Sequence, residues 1–297
     1  MPLNSFVCFV ALSGLFVTAC SSAESVPNSA PARLSVAVSL YPLEELVREV
    51  GGDVVDIINL TPPGSEPHDL TITPKQADAV SDVDVIFHLG DDFQPAIAGL
   101  VKGLPSRVLV VNILLNLPSH IIKDPHFWLD PIAMSEASAE IRQVLEDLDP
   151  AHAEEFTTGW AKYDEDLRSL DAEIALGLAS CKQKTIVAGH RAYGYLAKKY
   201  GFNLVAVNGI SPENEPSAKD LEDIAAIVKA TGTKFIFTES TLPNTLTESL
   251  ASSVGVTTLV LNPIETLPAD DLSQGASYLS VQRDNLAMLR KGLACSS

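Results

Sequence analysis

The chain has 297 residues, of which 38 are acidic and 20 basic, giving a formal charge of −18, and 46% are hydrophobic. This supports one large α/β unit or two domains of about 100–150 residues, each with a packed core, and excludes disorder for most of the chain. The acidic balance, with no run of more than two Lys/Arg, repels phosphate backbones and anionic lipid and leaves no basis for nucleic-acid binding.

Residues 1–19 carry no charge, and their apolar core, Phe6 to Val17, is shorter than the ~20 residues of a spanning helix. The segment reads as a signal peptide, although no Lys or Arg stands within Met1 to Phe6. Val17-Thr18-Ala19-Cys20, followed by Ser21-Ser22, resembles a bacterial lipobox, which implies cleavage before Cys20 and a lipid on its thiol. The Ser/Pro/Ala-rich stretch that follows makes 20–33 a flexible tether. With Cys8 removed and Cys20 modified, Cys181 and Cys295 remain, a pair that an oxidising compartment favours as a disulfide.

From Leu34 onward, β-branched runs alternate with amphipathic stretches. Ser35–Leu40, Val54–Leu60, Val83–Leu89 and Arg107–Ile113 suit strands, and Leu43–Val50, Pro74–Val80 and Pro95–Leu100 suit the helices between them. Next, Phe156, Trp160, Tyr163, Leu167, Leu170 and Ile174 form one helical stripe, with Asp149-Pro150 as its start signal. A helix over 150–179 would be roughly 45 Å long. The strand rhythm resumes at Thr185–Ala188, Asn203–Val207, Lys234–Thr238 and Thr257–Leu261, with a capped helix start at Pro216–Asp220. The expectation is an α/β fold of two lobes, 34–148 and 181–297, each a parallel sheet flanked by helices, joined by one long rigid helix over 149–180. Such a strut allows only a small rotation between lobes.

Three of the six histidines lie where strands end. His68 follows the Val54–Leu60 strand in Pro62-Pro63-Gly64-Ser65-Glu66-Pro67-His68-Asp69, His126 sits in Asp124-Pro125-His126-Phe127-Trp128, and His190 closes Thr185-Ile186-Val187-Ala188-Gly189-His190. In open parallel sheets that edge binds ligands, so two facing lobes could bring three imidazoles to one point, a donor set suited to Zn²⁺. Their separations in sequence are too long for a local metal-binding motif, so the fold must assemble the site. Glu239, ending the Lys234–Thr238 strand, is placed to hydrogen-bond a ligating imidazole. His88, His120 and His152 read as packed or surface residues.

These segments, together with Gly189-His190-Arg191-Ala192-Tyr193-Gly194-Tyr195-Leu196 and Ile210-Ser211-Pro212-Glu213-Asn214-Glu215-Pro216-Ser217, resemble the signature segments of the metal-binding lipoproteins that feed ABC importers of zinc or manganese. The resemblance runs from about Leu34 over the mature chain. It implies two α/β lobes joined by one long helix, metal held between them, and His68, His126 and His190 as ligands. Many members carry an aspartate in a C-terminal Tyr-x-Asp segment, where this chain has Tyr278-Leu279-Ser280. Water or Glu66 is then expected at the fourth position, with Ser280 orienting the water. Arg191 replaces the acidic residue usual after that histidine. Three nitrogens with few oxygens favour Zn²⁺ over Mn²⁺.

The function implied is capture of Zn²⁺ outside the cytoplasm by a monomer anchored to a bacterial membrane, on its periplasmic or cell-surface face, through lipid on Cys20. The metal then passes to an ABC permease served by its ATPase. Two alternatives are a zinc hydrolase, since three histidines and an open fourth position also activate water, and a surface adhesin lipoprotein.

Overall fold

The computed structural model describes Met1 and residues 33–90, 93–119, 121, 123–241 and 243–296. The signal segment, Cys20 and His120 lie outside the described residues. From Arg33 the chain forms one unit built on two parallel sheets.

The first half runs β1 (Leu34–Val38), α1 (Tyr41–Gly51), β2 (Val55–Asn59), α2 (Pro74–Val80), β3 (Val85–His88), α3 (Pro95–Lys102) and β4 (Leu109–Asn112), with strand order β2-β1-β3-β4. Then come α4 (Pro131–Leu148) and α5 (Ala153–Leu178). The second half runs β5 (Thr185–Ala188), α6 (Gly194–Tyr200), β6 (Asn203–Ala206), α7 (Ala218–Thr231), β7 (Phe235–Thr238), α8 (Thr245–Val254), β8 (Thr257–Val260), α9 (Ala269–Ser273) and α10 (Tyr278–Gly292), with order β6-β5-β7-β8. All ladders are parallel. Val36 of β1 faces Ile57 and Val85, and Val36, Ala37 and Val38 are all sealed from solvent. Burial on both faces explains why such central strands read as unbroken apolar runs.

Each sheet buries its outer face locally. Ala37, Leu60, Val80, Ile86 and Ile97 pack together in the first half, and Val187, Ile224, Val228, Ile236 and Leu250 in the second. The largest cluster is shared by both halves and includes residues of α1, α4, α5 and α10. At ~1.5 Å per residue the 26 residues of α5 span about 39 Å, and the helix packs against α1, α4 and α10. Phe156, Tyr163, Leu167, Leu170 and Ile174 are buried on it. Trp160 departs from the expected stripe: it is only partly buried, with the Arg142 guanidinium 4.7 Å from its ring centre. Pro150–His152 forms a 3₁₀ turn, not the first helical turn, because Asp149 accepts from the Ala151 N–H and closes the chain tightly. The sequence reading did not identify α4, whose buried face is largely small and includes Ala133, Ser135, Ala137 and Ser138, so its apolar stripe is weak. Cys181, after α5, stands opposite Cys295, after α10, and the two are joined as a disulfide.

Both sheets present their carboxyl edges to the same region. The order 2-1-3-4 sends consecutive crossovers to opposite sides of β1 and of its counterpart β5, which opens a crevice at those edges.

Candidate metal centre

His68 lies in the loop between β2 and α2. Its backbone N–H donates to Glu66 Oε1 at 3.0 Å, and the Phe93 ring meets the imidazole edge-on at 4.5 Å between centroids. Across the crevice, the Gly64 N–H donates to the Thr266 hydroxyl at 2.8 Å. His126 precedes the 3₁₀ turn Phe127–Leu129. Asp124 Oδ1 holds it twice, accepting from the backbone N–H at 3.0 Å and lying 2.9 Å from Nδ1. The other oxygen of Asp124 packs against Gly194, where a Cβ would lie only 2.1 Å from it. His190 follows β5 and is held in the same manner by Glu239 Oε1, 3.3 Å from its N–H and 2.6 Å from Nδ1. A Cβ on Gly189 would meet that oxygen at 3.0 Å.

The fourth participant is Glu265, in the loop after β8. Three of its oxygen-to-nitrogen distances define the centre: Oε1 lies 3.5 Å from His68 Nε2, 3.0 Å from His126 Nε2 and 3.1 Å from His190 Nε2. One potential ligand atom from each of the four residues falls within 4.8 Å of the others, and all four residues are buried. The preceding residue, Ile264, has φ +57 and is fully buried, a left-handed conformation that a β-branched residue adopts only when its surroundings impose it. The surroundings do so: Ile264 N–H donates to Asn262 Oδ1 at 2.8 Å, Asn262 is paired with Asn285 through two hydrogen bonds, and the Trp128 indole N–H donates to the Pro263 carbonyl at 2.7 Å. The Trp128 carbonyl in turn accepts from the Tyr278 hydroxyl and the Gln282 amide of α10. The His126 turn and the Glu265 loop are therefore braced against each other.

The electrostatics follow from burial and partners. Burial opposes charge on His190, but the Glu265 and Glu239 carboxylates outweigh it and hold its pKa well above the usual histidine range. Burial likewise opposes charge on His126, and Asp124 and Glu265 raise its pKa overall. Burial alone would raise the pKa of Glu265; the three imidazoles, His190 foremost, bring it well below the usual carboxylate range. Glu66, desolvated and near Glu265, is pushed up to about 8. The Nε2 atoms of His68 and His126 are buried with no partner that completes a hydrogen bond, although Glu265 Oε1 lies close to both. Orphaned nitrogens beside a shared carboxylate oxygen are what a cation would satisfy.

The three histidines singled out from sequence thus converge. The sequence expectation at the remaining position is water or Glu66, with Ser280 orienting the water; Glu66 instead bonds the His68 backbone, and Ser280 sits in the first turn of α10, in a reciprocal cap with Ser277. The Ser280 hydroxyl is used at the Ser277 carbonyl and N–H. Glu265 takes the place beside the imidazoles. Its sequence signal was modest: a carboxylate just past a strand, two residues after Pro263, the same context that marked the histidines. His88 is buried and its Nδ1 accepts from Gly90 N–H, and His152 bonds Asp149.

Residues 36–292 match the profile of the family described as zinc-uptake complex component A, periplasmic. The zinc-binding lipoprotein AdcA of Streptococcus pneumoniae is 31% identical over 299 residues, covering 94% of this chain but 59% of AdcA, so the chain spans little more than half of that relative's length. The high-affinity zinc uptake system protein ZnuA of Bacillus subtilis is 27% identical over 310 residues, 97% of each chain. The solved structure of the Zn(II)-bound ZnuA-like domain of Streptococcus pneumoniae AdcA superposes with a TM-score of 0.76 at 31% identity, covering 88% of this chain and 99% of that one.

Proposed function

Because the chain belongs to the zinc-uptake complex component A family, we propose that it captures Zn²⁺ outside the cytoplasm and hands it to a membrane permease driven by an ATPase, without altering it chemically. The Nε2 atoms of His68, His126 and His190 and a carboxylate oxygen of Glu265 hold the ion. The observation that carries this reading is the buried convergence of those four donors. Three imidazoles and one carboxylate match the tetrahedral, nitrogen-rich preference of zinc better than the oxygen-rich preference of manganese. Asp124 and Glu239 fix the ring orientations through Nδ1, the role that outer carboxylates play around metal-bound histidines.

Four protein donors complete a four-coordinate shell and leave no position for an attacking water. This argues against the hydrolase alternative, because catalytic zinc sites keep one position open. The remaining assignments belong to the same reading: signal peptide 1–19 and tether 20–33, lipid on Cys20, lobes 34–148 and 181–297 about the linking helix 149–180, a monomeric state, and a small change of lobe angle on binding.

Competitive titration of chelator-stripped protein tests the proposal. Zinc binding tighter than micromolar is the expected result, weakened to the micromolar range or beyond, but still measurable, in His68→Ala, His126→Ala and His190→Ala. Zinc binding that none of the three substitutions weakens, or turnover of an ester or peptide by the zinc-loaded protein, would overturn it.

A further inference from the structure

The loop bearing His68 is anchored from beneath by Gln94, a residue outside the four-donor centre. Gln94 occupies the N-cap position of α3 without capping it; its side chain turns inward and is 2% exposed. The amide nitrogen lies 3.2 Å from each of three oxygens: the Ser39 carbonyl just past β1, the Thr61 hydroxyl just past β2, and the Pro67 carbonyl. The Thr61 hydroxyl already donates to the Ser39 carbonyl at 2.6 Å. All three oxygens therefore present lone pairs, and only the NH₂ end of the amide can serve them. Ser39 and Thr61 belong to the rigid carboxyl edge of the sheet, whereas the Pro67 carbonyl belongs to the peptide that leads into His68.

His126 and His190 are steered through Nδ1 by carboxylates. His68 is held through its backbone instead, by Glu66 on its N–H and by Gln94 on the preceding carbonyl. Phe93, the neighbour of Gln94, closes on the His68 ring.

We propose that Gln94 is a positioning residue for zinc: it fixes the Pro67–His68 peptide to the sheet edge so that His68 Nε2 stays at the ion. The inference rests on the reading of His68 as a ligand. Removing the donor while keeping the volume, as in Gln94→Met, frees the His68 arm. The expected loss of zinc affinity is about tenfold, at the low end of what supporting partners contribute in metal sites.

A double-mutant cycle on the full chain tests this, with zinc competition titrations and the visible spectrum of the Co²⁺-loaded forms for wild type, Gln94→Met, His68→Ala and the double variant. Tenfold weaker binding in the wild-type background, near-zero further loss in His68→Ala, and a Co²⁺ spectrum of the double variant identical to that of His68→Ala support the proposal. Equal losses in both backgrounds, or no loss in the first, overturn it while leaving the ligand reading intact. Unchanged binding in His68→Ala overturns both. If Gln94→Met does not fold, Gln94→Asn, which keeps the amide but falls one methylene short, enters the same cycle with the same outcomes.

Discussion

Glu265 meets three imidazoles with a single oxygen, so its charge is the hub of the centre with or without an ion. Glu265→Gln removes that charge and puts a weaker donor in its place. The expected loss of zinc affinity exceeds the ~10–100-fold typical of outer partners, whereas Ser280→Ala changes it little; the same competition titration reads both. The pH dependence follows from the raised pKa values of His190 and His126. Both shifts favour the protonated imidazole in the metal-free protein, and a bound cation displaces any proton held there, so affinity rises with pH, by up to about tenfold per unit for each proton displaced. Titrations at pH 6.5, 7.5 and 8.5 should show that rise, and a flat profile would contradict it. The same shift stabilises the metal-free fold below the ordinary histidine pKa and is lost as pH climbs through the raised one, so alkaline conditions loosen the empty centre while they favour the ion. The histidines were legible in the sequence because His is scarce and each one follows a strand. Glu265 was not, because it is one of 38 acidic residues and what distinguishes it, the left-handed Ile264 and its brace to Trp128, depends on contacts between residues 135 positions apart.

At the scale of elements, α5 owes its seat to a close backbone approach. A Cβ on Gly159 would stand 2.6 Å from the Glu49 carbonyl and 2.7 Å from that of Val50, at the end of α1. Gly159→Ala gains helix propensity on α5 but must push two helices apart, and overpacking of this kind costs about 1–3 kcal/mol. Denaturant unfolding of the metal-free protein checks the sign; a more stable variant would mean that the helices part freely. The strands and α5 were readable because their apolar periodicity is strong. α4 escaped because Ala and Ser face its core, and Trp160 was misplaced by a spacing that carries it to the edge of the buried stripe.

The whole molecule is two sheets of the same strand order, each bringing two potential donors to one point: His68 and His126 from the first, His190 and Glu265 from the second. The Cys181–Cys295 bridge closes 114 residues of chain around the second sheet, near the amino ends of its strands and away from the carboxyl edge where the four donors converge. A loop of that length restricts the unfolded chain by up to ~5 kcal/mol, with 2–4 kcal/mol usual. Cys181→Ser with Cys295→Ser should therefore lower unfolding free energy by about that much and leave zinc affinity nearly unchanged; a large loss of affinity would show that the bridge shapes the crevice.

The contact of Asp124 with Gly194 joins the two halves at a point with no room to spare. One methyl there, in Gly194→Ala, would evict the carboxylate that aims His126 and blunt zinc capture from the opposite half of the molecule. In a survey of sequence variants, a bare glycine that touches no ion would then score like a ligand.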